Sequence, residues 1–334
     1  METFNDSKLS SNLKKSIATL GFSEPTEIQA KSIPEILKGN DVLGESATGS
    51  GKTLAFGCGV IEATEPGQGI QALVLAPTRE LAEQVKKSIH ELSIDKKLKI
   101  ISIYGGVSIN PQIDDLEIAD IVVGTPGRMN DHIGRQTIDL SNLKILVLDE
   151  ADRMLDMGFI EDIEKIMDMC PEKRQTLFFS ATFSQDIERL ARRYLHDPIK
   201  ITATRMVDPD KLTQVYYDVQ RGIKFSLLVH LLKKEENAKL IMVFCNTRRA
   251  TDMITKSLKA QKIEAEAIHG GFTQAKRNQA IKNFKDGKIN VLVCTDVAAR
   301  GIHVDDVSHI YNYDMPNDPT EYVHRIGRTA RAGD

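Results

Sequence analysis

Short apolar runs alternate with stretches of helical periodicity along almost the whole chain, and this alternation limits the possible folds more than any other feature. The runs Asp41–Leu43, Gln71–Ala76, Lys99–Tyr104, Asp120–Val123, Lys144–Leu148 and Gln175–Phe179 are each rich in Ile, Val, Leu or Phe. Their shortness and β-branched content mark strands of a buried parallel sheet. Between them, Leu81, Val85, Ile89 and Leu92 of Arg79–Ser93 recur at helical spacing and define one apolar face. Strand–helix–strand alternation builds a doubly wound α/β domain. It pauses at Thr202–Leu212, where polar residues and Pro209 mark a linker. It resumes with runs near Lys239–Cys245, Glu264–Ile268, Asn290–Cys294 and Val307–Tyr311. The expectation is two doubly wound parallel-sheet α/β domains, residues 1–203 and 214–334, joined by a short linker at 204–213. A length of 334 residues suits about two domains.

Composition excludes several classes. Apolar residues make up 41% of the chain and charged residues 27%, enough for packed cores and unlike a disordered or fibrous chain. Lys and Arg number 44 against 47 Asp and Glu, a net charge of −3. A uniformly basic coat is absent, so any nucleic-acid contact must be a local patch. Cys58, Cys170, Cys245 and Cys294 lie far apart and form no CxxC pair, which argues against a disulfide framework or a thiolate zinc site. Cys245 and Cys294 read as reduced core residues. Met1–Lys15 has no apolar core of a signal peptide, and no run approaches the ~18 apolar residues of a membrane helix. A soluble, cytoplasmic monomer with no membrane partner is expected.

Two motifs carry chemistry. Ser46-Ala47-Thr48-Gly49-Ser50-Gly51-Lys52-Thr53 follows a strand and opens a helix. It fits the second half of a phosphate loop, with Ser46 in place of the first glycine. Its backbone N–H groups would wrap phosphate oxygens, Lys52 would reach the β- and γ-phosphates, and Thr53 would hold Mg²⁺. Lys144–Asp152 ends an apolar strand in acids. Asp149 would bind Mg²⁺ through water, and Glu150 would orient or deprotonate the attacking water.

Asp149-Glu150-Ala151-Asp152 spells DEAD. Together with the motifs around it, the chain resembles the DEAD-box RNA helicases from Phe4 to Gly333. The resemblance implies two RecA-like domains and RNA-stimulated ATP hydrolysis. It also implies interdomain closure, bending of one RNA strand and local, non-processive duplex unwinding. Gly21–Gln29 is similar to the family's Q motif, in which Gln29 and Thr26 read adenine and Phe22 packs on it; Thr26-x-x-Gln29 is equally a capping box. His324, Arg328 and Arg331 recur at i, i+4 and i+7 on one helix face, where their mutual repulsion favours an opposing anion. A solvated basic face is the plainer reading. By resemblance Arg328 and Arg331 are arginine fingers and His324 bridges to the Asp149–Asp152 acids and to Ser180-Ala181-Thr182, the turn that couples the ATP and RNA sites.

The loops Pro77-Thr78-Arg79, Gly105-Gly106 and Thr125-Pro126-Gly127-Arg128 match the family's RNA-backbone motifs. Singly, each is also explained as a cap or turn. In the second domain Asn246 and Arg248, Gln274 with Arg277, and Thr295-Asp296 are their counterparts. Phosphate contacts carry no base information, so binding of single-stranded and duplex RNA would be largely sequence-independent. Arg300-Gly301-Ile302-His303 departs from the family at His303, where most members place the Asp that contacts the ATP ribose. Ending at Asp334, the chain lacks the family's following strand and helix, and a truncated second domain of reduced stability and activity is expected. An ATP-gated RNA clamp and a double-stranded DNA translocase are the alternatives.

Overall fold

A computed structural model of the chain describes residues 1–46, 49–203, 212–234, 239–299, 307–316 and 318–327. The chain divides into two compact units, Met1–Arg205 and Met206–Asp334. The first is built on β1 (Val42–Glu45), β2 (Ala72–Leu75), β3 (Ile100–Ile103), β4 (Ile121–Gly124), β5 (Ile145–Asp149), β6 (Gln175–Ser180) and β7 (Ile199–Thr202). Its strand order is β3-β4-β2-β5-β6-β1-β7, with every pair parallel. The second is built on β8 (Leu240–Phe244), β9 (Ala265–Ile268), β10 (Val291–Cys294) and β11 (Val307–Asn312), ordered β11-β8-β10-β9 and also parallel.

Side-chain alternation explains why both faces of the first sheet are covered. Ile145 and Val147 enter one apolar cluster while Leu146 and Leu148 enter the other. β2 divides the same way, Val74 to one side and Leu73 and Leu75 to the other. A strand apolar on both faces needs helices on both faces. The second unit repeats the pattern, with Met242 and Phe244 on one side of β8 and Ile241 and Val243 on the other. All four cysteines are buried and none forms a disulfide. Among the described residues no helix is long and apolar enough to cross a membrane.

Ten of these eleven strands fall on the expected apolar runs. The exception is β7, an edge strand in which only Ile201 is buried, so it has no continuous apolar signature. Backbone and a buried acid hold it instead. Ile199 N–H donates to the Asp41 carbonyl at 2.8 Å. The Asp41 carboxylate accepts from the N–H groups of Thr176 and His196, both at 2.7 Å.

The helix Lys52–Ala63, which begins at the phosphate loop, packs against the helix Glu27–Leu37 through Gly59. A Cβ on Gly59 would lie 2.2 Å from Ile36 Cγ2, a β-branched methyl that cannot swing aside alone. Gly59→Ala gains about 1 kcal/mol of helix propensity but incurs overpacking of about 1–3 kcal/mol. The expected result is a net loss of about 0–2 kcal/mol, read as a lower unfolding midpoint for the first unit. A raised midpoint would show that the two helices separate freely.

Candidate active site

Sheet order sorts the motifs of the first unit into two groups. The adjacent strands β5, β6 and β1 end in Asp149–Asp152, Ser180–Thr182 and the phosphate loop. The adjacent strands β3, β4 and β2 end in Gly105–Gly106, Thr125–Arg128 and Pro77–Arg79. Neighbouring strands lie about 4.8 Å apart, so each group converges within roughly two strand spacings at the carboxyl edge, where such sheets bind ligands.

Ala47 and Thr48 lie outside the described residues; the rest of the phosphate loop is fixed from several sides. Gly51 caps the helix Lys52–Ala63 with φ 88°, and Gly49 has φ 85°, left-handed values that suit glycine. Thr26 Oγ1 donates to the Ser50 carbonyl at 2.7 Å, and Gln29 Nε2 donates to the Gly51 carbonyl at 3.0 Å. Gln29 Oε1 accepts from the Thr26 N–H at 2.9 Å. A Cβ on Gly51 would meet Gln29 Nε2 at 2.2 Å, so this glycine is required by the Gln29 approach as well as by φ. Thr26 and Gln29 therefore grip the loop while also capping their own helix. Phe22 is 46% exposed. Lys52 is buried, its Nζ donating to the Ser46 carbonyl at 3.0 Å, and Ser50 Oγ donates to Ser46 Oγ at 2.8 Å. Thr53 sits in the first turn of the same helix.

The acid row is buried. Asp149 is 3% exposed, and its Oδ1 has no hydrogen-bond partner among the described residues. Burial pushes its carboxyl up to about 7 from near 3.8; Lys52 pulls it down and Glu150 pushes it up. Glu150 takes φ 53°, a left-handed conformation that costs a non-glycine residue about 1 kcal/mol or more. Arg153, also buried, donates to Glu150 Oε2. Asp152 Oδ2 accepts from the N–H groups of Ala181 and Thr182, both at 3.1 Å, and from Thr182 Oγ1 at 3.2 Å. Asp152 N–H donates to Ser180 Oγ at 3.3 Å, and Ser180 Oγ donates to the Thr182 carbonyl at 2.7 Å.

On the other half of the edge, Thr78 caps the helix Arg79–Leu92, its Oγ1 accepting from Leu81 N–H at 3.3 Å. Thr125 precedes the helix Pro126–Gly134, with Pro126 and Gly127 in its first turn. Arg79 lies over the Tyr104 ring at 4.5 Å. Gly106 has φ 79°, and a Cβ there would lie 3.0 Å from Arg79 Nη1. Gly105 is open on its Cβ side. Arg128 donates to the Val107 carbonyl at 2.9 Å and to Gln112 Oε1 at 3.1 Å.

The second unit is organised by Arg325, which is 1% exposed. Its Nε and Nη2 donate to the two oxygens of Asp296 at 2.6 and 2.7 Å. Nη2 also donates to Asn246 Oδ1 at 3.1 Å, and Nη1 to Asn312 Oδ1 at 3.0 Å. Asn246 and Asp296 are thereby brought together. Thr295 is buried beside Asp296, and Arg248 Nη2 lies 3.4 Å from the Cβ position of Gly270. Gln274 opens the helix Gln274–Lys285, with Arg277 one turn on, and His324 lies in the helix Pro319–Ile326. The side chains of Gln274 and His324, and the whole of Arg300, Gly301, His303, Arg328 and Arg331, lie outside the described residues.

Residues 26–190 match the family model "DEAD/DEAH box helicase", and residues 223–333 match "Helicase conserved C-terminal domain". The CshA protein of Bacillus subtilis, a DEAD-box ATP-dependent RNA helicase, is 48% identical over 99% of this chain and 67% of its own length. The chain belongs to the DEAD-box family of ATP-dependent RNA helicases. Among solved structures, a DEAD box protein from Methanococcus jannaschii is 44% identical with a TM-score of 0.62, covering 100% of this chain and 91% of that one. Saccharomyces cerevisiae Dbp5, bound to RNA and ADP BeF3, is 31% identical with a TM-score of 0.90, covering 100% and 87%. Both domains are RecA-like. The chain spans about two thirds of the length of the curated relatives it matches.

For a DEAD-box protein the expected metal is Mg²⁺, and the residues fit it. Asp149 Oδ1 is a buried anionic oxygen without a hydrogen bond, and hard cations take oxygen donors, commonly through water. Two residues central to this geometry stand outside the motif positions singled out in the sequence. Arg153 was detectable as an i, i+3 partner of Glu150. Arg325 adjoins His324 in the sequence, one residue off the i, i+4, i+7 spacing of His324, Arg328 and Arg331, about 100° of helix rotation away.

The Asp149 shift predicts the pH dependence of stability. Its carboxyl lies above the unfolded value, so the folded state holds the proton more tightly. Stability from this group is complete below about pH 4 and is lost as pH rises through about 7. Asp149→Asn removes that loss. The expected outcome is a stability gain on the order of 1–3 kcal/mol above pH 7, shrinking toward zero at pH 4. Melting midpoints of the ligand-free protein across this range measure it, and a gain independent of pH would refute the assignment.

Proposed function

We propose that this protein hydrolyses ATP when RNA is bound and uses the cycle to separate short RNA duplexes locally and without processivity. The observation that carries this reading is the Asp152 carboxylate, which joins the acid row to the Ser180-Ala181-Thr182 turn through three donors on one oxygen. A change at the nucleotide end of β5 is felt directly at the end of β6.

In this reading the phosphate loop from Ser46 to Thr53 wraps the β- and γ-phosphates, and Lys52 exchanges the Ser46 carbonyl for a phosphate oxygen. Mg²⁺, held by Thr53 and through water by Asp149, would neutralise phosphate charge. Glu150 orients the attacking water and takes its proton. Thr26, Gln29 and Phe22 receive the adenine, and Gly301 and His303 lie toward the ribose. Domains 1–203 and 214–334, joined by 204–213, close when both ligands are present. Closure brings Arg328 and Arg331 to the γ-phosphate, with His324, Asp296 and Arg300 relaying between the ATP and RNA sites. Linkage then requires ATP and RNA to strengthen each other's binding. RNA lies along Pro77–Arg79, Gly105–Gly106 and Thr125–Arg128 in the first domain. In the second it follows Asn246, Arg248, Gln274, Arg277 and Thr295. Contacts to phosphate and sugar leave base sequence unread, and the 2′-OH distinguishes RNA from DNA. The setting is a cytoplasmic monomer.

Steady-state ATP hydrolysis without nucleic acid, with single-stranded RNA and with matched DNA tests the proposal. Stimulation by RNA alone is expected; equal stimulation by DNA would favour a general translocase. Strand release from a short duplex separates a helicase from an RNA clamp, which would hold RNA and release no strand. Lys52→Ala is expected to lower turnover by more than about 100-fold. Glu150→Gln should bind ATP, hydrolyse it about 10²–10⁴-fold more slowly and retain RNA longer. Hydrolysis at the wild-type rate by Glu150→Gln would remove its assigned role.

A further inference from the structure

The short helix Asn110–Leu116 belongs to none of the motifs, yet it sends Gln112 between the Gly105–Val107 turn and the helix Pro126–Gly134. Gln112 is 7% exposed. Its Oε1 accepts from Arg128 Nη1 at 3.1 Å and faces His132 Nε2 at 3.3 Å, while its Nε2 donates to the Tyr104 carbonyl at 3.2 Å. His132 is fully buried, with Nδ1 2.8 Å from Thr137 Oγ1.

Donor and acceptor chemistry fixes every group in this set. Arginine only donates, so Gln112 must turn its oxygen toward Arg128. That oxygen faces His132 too, so the imidazole proton lies on Nε2, and Nδ1, at 2.8 Å, competes with the His132 carbonyl, at 3.3 Å, for the one proton of Thr137 Oγ1. Burial, then the positive charge of Arg128, holds the imidazole below its ordinary basicity, in keeping with one N–H and one bare nitrogen. The amide orientation and the tautomer determine each other.

The turn that Gln112 supports is gripped on both sides. Arg128 Nη2 donates to the Val107 carbonyl at 2.9 Å. Arg79 stacks on the Tyr104 ring and closes over Gly106. Tyr104 thus joins the two arginines, by its ring to Arg79 and by its carbonyl, through Gln112, to Arg128. Resting on the reading of this face as an RNA path, we propose that Gln112, seated by His132, is a positioning residue. It sets Arg128 and the Gly105–Val107 turn as one rigid grip on an RNA backbone and touches no RNA itself. Without it, Arg128 would keep only the Val107 carbonyl and the exposed Asp131 carboxylate, 3.5 Å from its Nε, and the ordering lost with the buried acceptor would be restored on binding RNA at an entropic cost.

The test is poly(U)-stimulated ATP hydrolysis. Gln112→Ala is expected to raise half-saturating poly(U) about tenfold, while the KM for ATP and kcat at saturating poly(U) stay within about twofold. Gln112→Met fills the same space without the acceptor, and the same rise is expected of it, so the test survives if the alanine variant fails to fold. Gln112→Glu keeps an acceptor for both Arg128 and His132 but loses the donor to the Tyr104 carbonyl, and should raise half-saturation less than the alanine and methionine variants do. Arg128→Ala is the control and should raise half-saturation about tenfold or more. If Arg128→Ala weakens poly(U) while the alanine and methionine variants stay within about twofold of wild type, the positioning role is wrong. It is equally overturned if kcat and the KM for ATP deteriorate in step with poly(U) affinity. If Arg128→Ala itself leaves poly(U) untouched, the RNA reading of this face fails and the inference falls with it.

Discussion

Water reaches almost none of the Asp149 carboxylate, and one of its oxygens finds no hydrogen bond among the described residues. A buried charge in that position opposes folding unless something offsets it. The parallel sheet places it there, because Asp149 is the last residue of the central strand β5 and β6 flanks it in register with Phe179. Lys52 supplies part of the offset, but its ammonium is tied to the Ser46 carbonyl. The remainder is supplied by keeping the proton, which is why the carboxyl moves up. The site therefore holds an electrostatic cost that a cation at Oδ1 would relieve, and binding energy there is gained at the expense of ligand-free stability.

The same sheet sets the two groups of motifs on adjacent strands. β5 carries the acid row and lies beside β2, whose end carries Pro77–Arg79. On its other side it lies beside β6, whose end carries the turn held by Asp152. Each group is rigid by different means. The half with the phosphate loop relies on carboxylates and glycines with left-handed backbone; the other half relies on two arginines fixed by a ring, an amide and carbonyls. A central strand shared by both gives a short physical route between them.

The legible parts of the structure share one property: their function fixes local spacing. Strands buried on both faces announce themselves as apolar runs, and the phosphate loop announces itself through its glycines. β7 was illegible because an edge strand with one buried side chain looks like a loop. Gln112 was illegible because its partners are 8 and 16 residues away or more, and a polar residue in a short polar helix has no signature. Gln29 caps its helix, as the Thr26-x-x-Gln29 spacing announces, and also grips the phosphate loop, a contact 22 residues away that no local spacing signals.

The two domains make opposite use of an acid at the carboxyl end of a strand, buried in the first and half-buried in the second. In the first, Asp149 keeps an oxygen unsatisfied next to a lysine that is engaged elsewhere. In the second, Asp296 follows β10 and receives the guanidinium of Arg325 on both oxygens. A bidentate pair of this kind satisfies the acid and leaves no electrostatic vacancy for a metal. Arg325 spends its remaining donors on Asn246, Asn312 and the Asp314 carbonyl, so the pair fixes the ends of β8, β10 and β11 to one another. The same α/β architecture thus yields a reactive edge in one domain and a rigid scaffold in the other. The fold provides the carboxyl edge in both cases, and the difference in chemistry lies in whether an arginine or a more distant, occupied lysine faces the acid.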